Sequence, residues 1–140
     1  MSIDSHNKIL GSWRLLSMES ESQATAERRF SLGENPTGYI LFTSEGRFMA
    51  VLTREGLKPP NTEQDWASLA KSVYAYSGTY RLEGDQWITR VDVSSWPAWI
   101  GTEQVRYFRI DGDMLHVTSG WMEGHGGDTV RATLKFEREK

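Results

Sequence analysis

The chain has 140 residues, 38% hydrophobic and 25% charged, which is enough apolar material for one core and predicts a single domain over residues 1–140. Its formal net charge of -3, with both signs scattered, argues against nucleic acid or an anionic membrane as the main partner. The absence of cysteine excludes disulfides and thiolate chemistry, and leaves only histidine and carboxylate ligands for a zinc site.

The N-terminal residues 1–6 lack the basic and apolar regions of a signal peptide. The longest apolar run is far too short to span a bilayer. A soluble, cytoplasmic protein is therefore expected. Six tryptophans are many for this length, and aromatic side chains at such density line a core, a ligand cup or an interface.

The first third of the chain predicts one helical turn and then strands. Asp4 or Ser5 can cap a turn over residues 4–10, and residues 10–20 form a strand with Trp13 on one face and Met18 on the other. Residues 24–32 predict a second, mostly polar strand, followed by a turn over 33–38. Strands 39–42 and 48–52 form a hairpin with Gly46 at positive φ in its turn.

One helix is predicted after the loop at residues 56–61. Asn61 or Thr62 can cap it, acidic residues occupy its first turn, and Trp66, Leu69 and Ala70 recur at helical spacing. Further strands follow at 74–82, 87–93, 103–110, 114–119 and 129–138, with short turns at 83–85 and 111–113. About nine short strands, several of them apolar on both faces, favour an all-β antiparallel barrel with the helix packed on it or capping it.

An ordered set of motifs runs along most of the chain. It comprises a Gly-x-Trp strand at residues 10–17 and the segments 33–40, 46–49, 74–80, 96–102 and 104–108. This set resembles a family of bacterial lipocalin-like domains. The resemblance implies a lipocalin-like up-and-down β-barrel, but it implies little about activity, because a fold does not fix a function.

Two details follow from the resemblance. A tryptophan such as Trp13 plugs one end of a lipocalin barrel and stacks on a cation of the last strand, here Arg138 or Arg131. Relatives often carry histidine in the strand at residues 87–93, where this chain has Thr89 and Arg90. That departure puts histidine catalysis and metal dependence in doubt, and no metal site is expected.

The sharpest site candidates lie on the strand that follows a proline corner. Gln104, Arg106 and Phe108 share one face by alternation. If that face points inward, the planar guanidinium of Arg106 suits a carboxylate, phosphate or enolate oxygen. The alternative is an internal salt bridge to Asp92 or Glu103, because an unpaired buried charge is costly.

Aromatic residues supply the other candidates. One strand face carries a tyrosine ladder, and neighbouring strands can complete an apolar cup; ordinary core packing is the alternative for both sets. Loops carry tryptophans that can form the rim or lid of a barrel mouth or, alternatively, a dimer contact. These residues are, in that order, Tyr74, Tyr76 and Tyr80; Tyr39, Phe48 and Met49; and Trp96, Trp99 and Trp121.

The three histidines point to no catalytic centre. His6 is expected at the exposed terminus and His116 on a strand, whereas His125 lies in a glycine-rich loop that can swing over a pocket as a general acid or base. No nucleophilic triad, P-loop or dinucleotide fingerprint is present, so no cofactor is expected.

Three functions stay open on this evidence. The first is binding of a small hydrophobic or aromatic metabolite with an anionic or carbonyl oxygen inside the barrel. The second is a cofactor-free cyclase, isomerase or lyase, in which Arg106 stabilises an enolate-like oxygen and Tyr76 or His125 moves a proton. The third is a self-associating module, such as a homodimer that buries exposed tryptophans.

Overall fold

The fold is an antiparallel β-barrel, seen in a computed structural model that describes residues 3–123 and 127–140. The strands are β1 (Gly11–Ser22), β2 (Arg28–Arg29), β3 (Thr37–Phe42), β4 (Arg47–Thr53), β5 (Val73–Glu83), β6 (Gln86–Ser94), β7 (Glu103–Asp111), β8 (Met114–Ser119), β9 (Met122–Glu123) and β10 (Thr129–Arg138). The helices are α1 (Ile3–Ile9) and α2 (Glu63–Ala70), with a 3-10 turn at Pro97–Trp99.

Eight long strands close the barrel, because β1 pairs with β3 on one side and with β10 on the other. The strand order is β2-β1-β3-β4-β5-β6-β7-β8-β10-β9, and the two-residue strands β2 and β9 only extend β1 and β10 at one end. The predicted lipocalin-like up-and-down barrel is confirmed. Within the described segments, no helix is long and apolar enough to cross a membrane.

The prediction of a strand over residues 24–32 is wrong for most of its length. Only the two residues of β2 pair with β1, and a turn precedes them in which Ala26 adopts a positive φ of 60° and donates its backbone N–H to the Ser22 carbonyl. Residues 24–30 of this segment are exposed, and only Leu32 at its end is buried in the core. Residues 24–29 carry no large apolar side chain to bury against the barrel, so a longer pairing gains little.

A β-bulge in β1 corrects the prediction for Met18. The pairing of β1 with β10 shifts between Leu15 and Ser17, so one extra residue is inserted there. An inserted residue reverses the alternation beyond it. Trp13, Leu15 and Met18 are consequently all buried in the same interior.

The closed end of the barrel is sealed by α1 and Trp13. The Arg138 guanidinium lies 4.1 Å from the centroid of the Trp13 ring, which confirms the cation expected on the last strand. Arg138 also donates to the carbonyls of Leu10 and Lys8, and the Trp13 indole N–H donates to the Ile9 carbonyl at 2.9 Å. These bonds satisfy carbonyls that the end of a helix leaves without intrahelical partners.

Helix α2 lies in the β4–β5 connection and confirms the predicted helix. Thr62 is its N-cap, and a capping box joins the Thr62 hydroxyl to the Asp65 N–H and the Asp65 carboxylate to the Thr62 N–H. None of the helix residues is buried, and Trp66 is 64% exposed. The helix therefore contributes little to the core.

A close approach of β5 and β6 explains Gly78. A Cβ at this position would overlap the Arg90 carbonyl oxygen and lie 2.7 Å from the Arg90 carbonyl carbon. The pairing of β5 with β6 also shifts between Ser77 and Gly78. The glycine thus allows the two backbones to touch at a bulge, and it does not leave ligand space.

Candidate functional site

A cavity of about 60 Å³ opens at the end of the barrel opposite α1. Its walls come from strands β1 and β3 to β10 and from the segment around the 3-10 turn. The lining is mainly apolar and aromatic, with few polar side chains: Met18, Ser20, Ile40, Phe48, Ala50, Leu52, Tyr74, Tyr76, Trp87, Trp96, Trp99, Arg106, Val117, Ser119, Met122, Glu123, Val130, Ala132, Leu134 and Phe136.

Four aromatic rings form a continuous wall of this cavity. Trp87 contacts Phe48 with 4.8 Å between ring centroids, and Phe48 contacts Tyr76 at 5.4 Å. Tyr76 then meets Trp99 edge to face, at 5.0 Å and 86°. Such contacts are worth about 0.5–1.5 kcal/mol per pair beyond the burial of the rings, so they favour this arrangement of the wall.

The 3-10 turn places Trp99 over the mouth. Pro97 begins the turn, where its missing N–H is not needed, and Thr102 fixes the end by donating its hydroxyl to the Trp99 carbonyl at 2.6 Å. Trp96 stacks nearly parallel to Trp99, with 6.4 Å between centroids and 17° between planes. The proline corner noted in the sequence thus forms one side of the cavity entrance.

The Arg106 side chain points into the barrel. Arg106 lies on β7, paired with Trp87 of β6 and Ser119 of β8, and only 8% of its surface is exposed. Its guanidinium lies 5.6 Å from the centroid of the Trp99 ring and donates one hydrogen bond, to the Val105 carbonyl at 3.0 Å.

Both expected counter-ions of Arg106 are engaged elsewhere. Asp92 forms an ion pair with Arg47 at 2.8 Å, and Glu103 forms one with Arg81 at 2.7 Å. All four of these side chains are substantially exposed, on the outside of the barrel. Among residues 3–123 and 127–140, no carboxylate lies within salt-bridge distance of Arg106, so the predicted internal salt bridge does not form there.

The cavity offers hydrogen-bond donors that the described part of the chain does not use. None of the described side-chain nitrogen or oxygen atoms is both sealed from solvent and without a partner. The remaining N–H groups of Arg106 therefore open to the cavity rather than to packed protein. The Tyr76 hydroxyl, in the same cavity, likewise has no hydrogen-bond partner within these segments.

Tyr74 stands half-buried at the side of the cavity. Burial raises the pKa of its phenol, because the charged phenolate would lose its hydration, and the nearby positive charge of Arg106 acts weakly in the opposite direction. Tyr74 therefore stays a neutral hydroxyl near Arg106 at physiological pH.

The structure brings five of the eight predicted ligand residues to one cavity: Phe48, Tyr74, Tyr76, Trp99 and Arg106. Three lie outside its lining. The Gln104 amide donates to the Thr102 hydroxyl at 2.9 Å instead of facing Arg106's pocket. Tyr39 is 43% exposed on the outer face of β3, because the inward positions of that strand are Gly38, Ile40 and Phe42.

Trp121 is the third residue outside the lining. It is 42% exposed and packs under the Arg131 guanidinium, which lies 4.6 Å from its ring centroid. Arg131 therefore pairs with Trp121, which leaves Arg138 as the partner of Trp13.

Other predicted candidates lie away from the cavity. Met49 is 45% exposed on the barrel exterior. Tyr80 lies at the closed end, where its hydroxyl donates to the Thr43 carbonyl at 3.1 Å and its ring stacks on His6, which is only partly exposed. His125 falls outside the described residues, and within them no cluster of histidine and carboxylate side chains could hold a metal ion.

Exposed apolar side chains concentrate on the outer barrel wall rather than on the tryptophans of the mouth. The pairing of β3 with β4 places Tyr39 opposite Val51 and Leu41 opposite Met49, and all four side chains are at least 40% exposed. Trp96 and Trp99 are only partly exposed, since both line the cavity. A homodimer through these tryptophans stays a prediction.

Sequence reasoning missed several cavity residues. Met18 and Ser20 enter the lining because of the bulge in β1, and no residue type in that strand predicts a bulge. Ser119 faces Arg106 across the β7–β8 ladder and uses its hydroxyl to accept the Ala132 N–H at 2.9 Å. The alternation of Ala132, Leu134 and Phe136 on β10 is the pattern from which that wall of the cavity could have been predicted.

In a comparison with known protein families, the model described as "Lipocalin-like domain" matches residues 10–139. The chain belongs to the lipocalin-like domain family. A search of curated proteins found no match. Among solved structures, the chain is similar to an uncharacterized protein from Bacteroides eggerthii DSM 20697, with 12% sequence identity, 94% of this chain and 99% of that chain covered, and a TM-score of 0.46.

Proposed function

We propose that this lipocalin-like domain binds a small, mainly apolar or aromatic molecule, and that an anionic or carbonyl oxygen of this molecule meets Arg106. One observation carries the proposal: a nearly buried guanidinium faces an aromatic cavity and has no carboxylate partner among the described residues. Desolvating a charge costs several kcal/mol, roughly, unless a partner compensates. A ligand oxygen supplies that partner, since a guanidinium forms two parallel hydrogen bonds with a carboxylate.

The cavity dimensions favour a compact ligand. About 60 Å³ is room for a few water-sized groups, whereas pockets for drug-sized ligands measure roughly 300–1,000 Å³. The aromatic wall of Phe48, Tyr76 and Trp99 presents ring faces and edges, which pack well against a flat ring. A planar aromatic acid is therefore a suitable probe.

The test uses benzoate, the smallest aromatic acid, with benzene as the uncharged analogue. Binding is measured through the change in tryptophan fluorescence, because Trp96 and Trp99 line the mouth. We expect the wild type to prefer the acid, and Arg106→Met to weaken its binding about 10- to 100-fold, the equivalent of a charge-assisted hydrogen bond of roughly 1.5–3 kcal/mol.

Arg109→Met is the matched control. Arg109 lies on the same strand, 66% exposed on the outside, in a loose ion pair with Asp111 at 3.7 Å. The Arg109→Met variant loses the same charge without a change in the cavity, so its affinity for benzoate is expected to stay at the wild-type value. Equal losses in both variants, or equal binding of acid and hydrocarbon, would contradict the role of Arg106.

A cofactor-free isomerase or lyase is the second candidate, favoured by the Tyr76 hydroxyl that shares the cavity with Arg106. A phenol can move a proton to or from an oxygen held by a guanidinium. The test extracts the ligand from the purified protein and identifies it by mass spectrometry. The identified compound is then added to the wild type and to Tyr76→Phe, and both its binding and its conversion are measured. Conversion by the wild type alone, with equal binding by both, indicates catalysis, whereas recovery of unchanged ligand from both indicates binding only.

A further inference from the structure

A contiguous apolar patch lies on the outer barrel wall, across strands β3 to β6. The pairing of these strands arranges their outward side chains in two adjacent rows: Tyr39 and Val51, and Leu41, Met49, Ser77 and Val93. All of these residues except Ser77 are between 40% and 56% exposed. We propose that this apolar patch, defined by its five large side chains, is the interface of a symmetric homodimer.

Tyr107 on β7 shows why the apolar patch differs from an ordinary exposed side chain. Tyr107 is 42% exposed, but the residues paired with it are the polar Gln86 and Thr118. Single apolar side chains are common on protein surfaces, whereas contiguous patches with a polar border mark sites of association. The adjacent rows on β3 to β6 belong to the second kind.

The area of the apolar patch matches what a modest dimer needs. At roughly 150–200 Å² for a fully exposed residue of this size, the five side chains present roughly 400 Å², within the range of functional surface patches. Two copies cover about twice this area. Because homodimer interfaces are about 65% non-polar, the whole contact measures about 1,200 Å², the lower end of the range for specific complexes.

The charges at the borders of the apolar patch favour a second copy of this chain as the partner. On β1, Arg14 is paired with Glu137 at 2.9 Å, and on β4, Arg47 is paired with Asp92 at 2.8 Å. A symmetric interface brings the same surface of two chains together, so an excess of one charge at its border would repel itself. Both borders are instead neutralised within the chain, which lets the surface meet its own copy.

The contact between the two copies is face to face. The eight long strands close on themselves, so β3 to β6 are each paired on both sides and offer no free edge for strand addition. Sheets that pack by their faces lie about 10 Å apart, with interdigitating side chains. Leu41, Met49 and Val51 supply branched and flexible side chains for such packing.

Sedimentation equilibrium of the wild type, Val51→Lys and Met49→Lys tests the proposal. We expect the wild type to dimerise with a Kd in the micromolar range, measured over roughly 1 to 300 μM protein. Each lysine variant should raise this Kd at least about 30-fold, because the symmetric contact brings two new ammonium groups into one interface. Val51 is 52% exposed, so a lysine there reaches solvent in the monomer without disturbing the core.

Tyr107→Lys is the matched control, because it adds the same charge to the outer barrel wall outside the apolar patch. Its Kd is expected to stay at the wild-type value. Trp66→Lys serves in the same way for the exposed tryptophan of α2. Urea denaturation supplies a second measurement: the midpoint of the wild type should rise with protein concentration, since association stabilises the folded chain, and that of Val51→Lys should not.

A wild type that stays monomeric over the whole concentration range overturns the proposal. A dimer whose Kd is unchanged in both Val51→Lys and Met49→Lys also overturns it, because association then uses another surface. Equal weakening in Tyr107→Lys has the same consequence, since the effect is then one of charge alone. Weakening in the two variants of the apolar patch, with none in Tyr107→Lys or Trp66→Lys, supports the dimer.

Discussion

Replacement of Arg106 by methionine tests whether this residue serves the fold or a ligand. Methionine has similar length and fills the same space with an apolar, flexible chain. A structural arginine would leave broken interactions behind when removed. An arginine kept for binding would instead leave a better-packed and more stable barrel, because the apo protein no longer has to bury a charge.

The magnitude follows from the contacts of Arg106. The variant loses one hydrogen bond to the Val105 carbonyl, about 1.5–3 kcal/mol for a charged donor, and a cation–π contact with Trp99 of about 0.5–2 kcal/mol. It also avoids the burial of a side chain that is only 8% exposed, a penalty of several kcal/mol, roughly. For comparison, replacing a whole buried ion pair or triad by well-packed apolar residues is often neutral or stabilising by about 1–4 kcal/mol.

We therefore expect Arg106→Met to be more stable than the wild type by about 1–3 kcal/mol. Urea denaturation measures this free energy directly, and a thermal melt should rise by about 3 °C per kcal/mol for a chain of this size. The control Arg109→Met, on the outer face of the same strand, should change stability by less than about 0.5 kcal/mol. A loss of more than about 1 kcal/mol in Arg106→Met, without a loss in the control, would refute the argument and make Arg106 a structural residue.

Three further predictions concern the fold. Arg138→Met removes the caps of α1 and the stack on Trp13, so it should cost about 2–4 kcal/mol in urea denaturation, while the exposed neighbour Lys135→Met costs under about 0.5 kcal/mol. Gly78→Ala should cost about 1–3 kcal/mol because its methyl overlaps β6, whereas Gly120→Ala, with open space around it, should be nearly neutral; equal effects would contradict the close approach. Ion pairs such as that of Asp92 with Arg47 lower the pKa of the carboxylate, so they stabilise the folded state fully only above the ordinary carboxylate pKa of about 4. The free energy of unfolding should therefore fall as the pH drops through the lowered pKa values. A free energy of unfolding that does not change between about pH 6 and pH 2 would contradict this.

Much of the barrel could be predicted from the sequence because its signals are local. Alternation and short glycine turns located the strands that close the barrel, and Thr62 with Asp65 marked the start of α2. The segment at residues 24–32 was misassigned because nothing local distinguishes a polar edge strand from an exposed turn. Whether such a segment pairs depends on how much apolar surface the neighbouring strands leave uncovered.

The site was predictable in part, for a related reason. Arg106 stood out because an inward-facing charge is costly unless it has a partner, and its neighbours Tyr76 and Trp99 share its cavity. Gln104 followed the same alternation, yet it lies at the start of β7, where its amide turns to Thr102. Tyr39 was misplaced by one position of register, and such a shift moves a side chain to the opposite face.

The closure of β1 on β10 also has a consequence for how the chain folds during synthesis. Trp13 pairs with Arg138, so the contact that completes the barrel joins residues about as far apart in sequence as this chain allows. Until β10 leaves the ribosome, β1 and β8 each present an open strand edge, and open edges pair readily with other chains. Folding should therefore be slow for a chain of this size and end with a single late step, in which the last strand converts an open sheet into a barrel without edges.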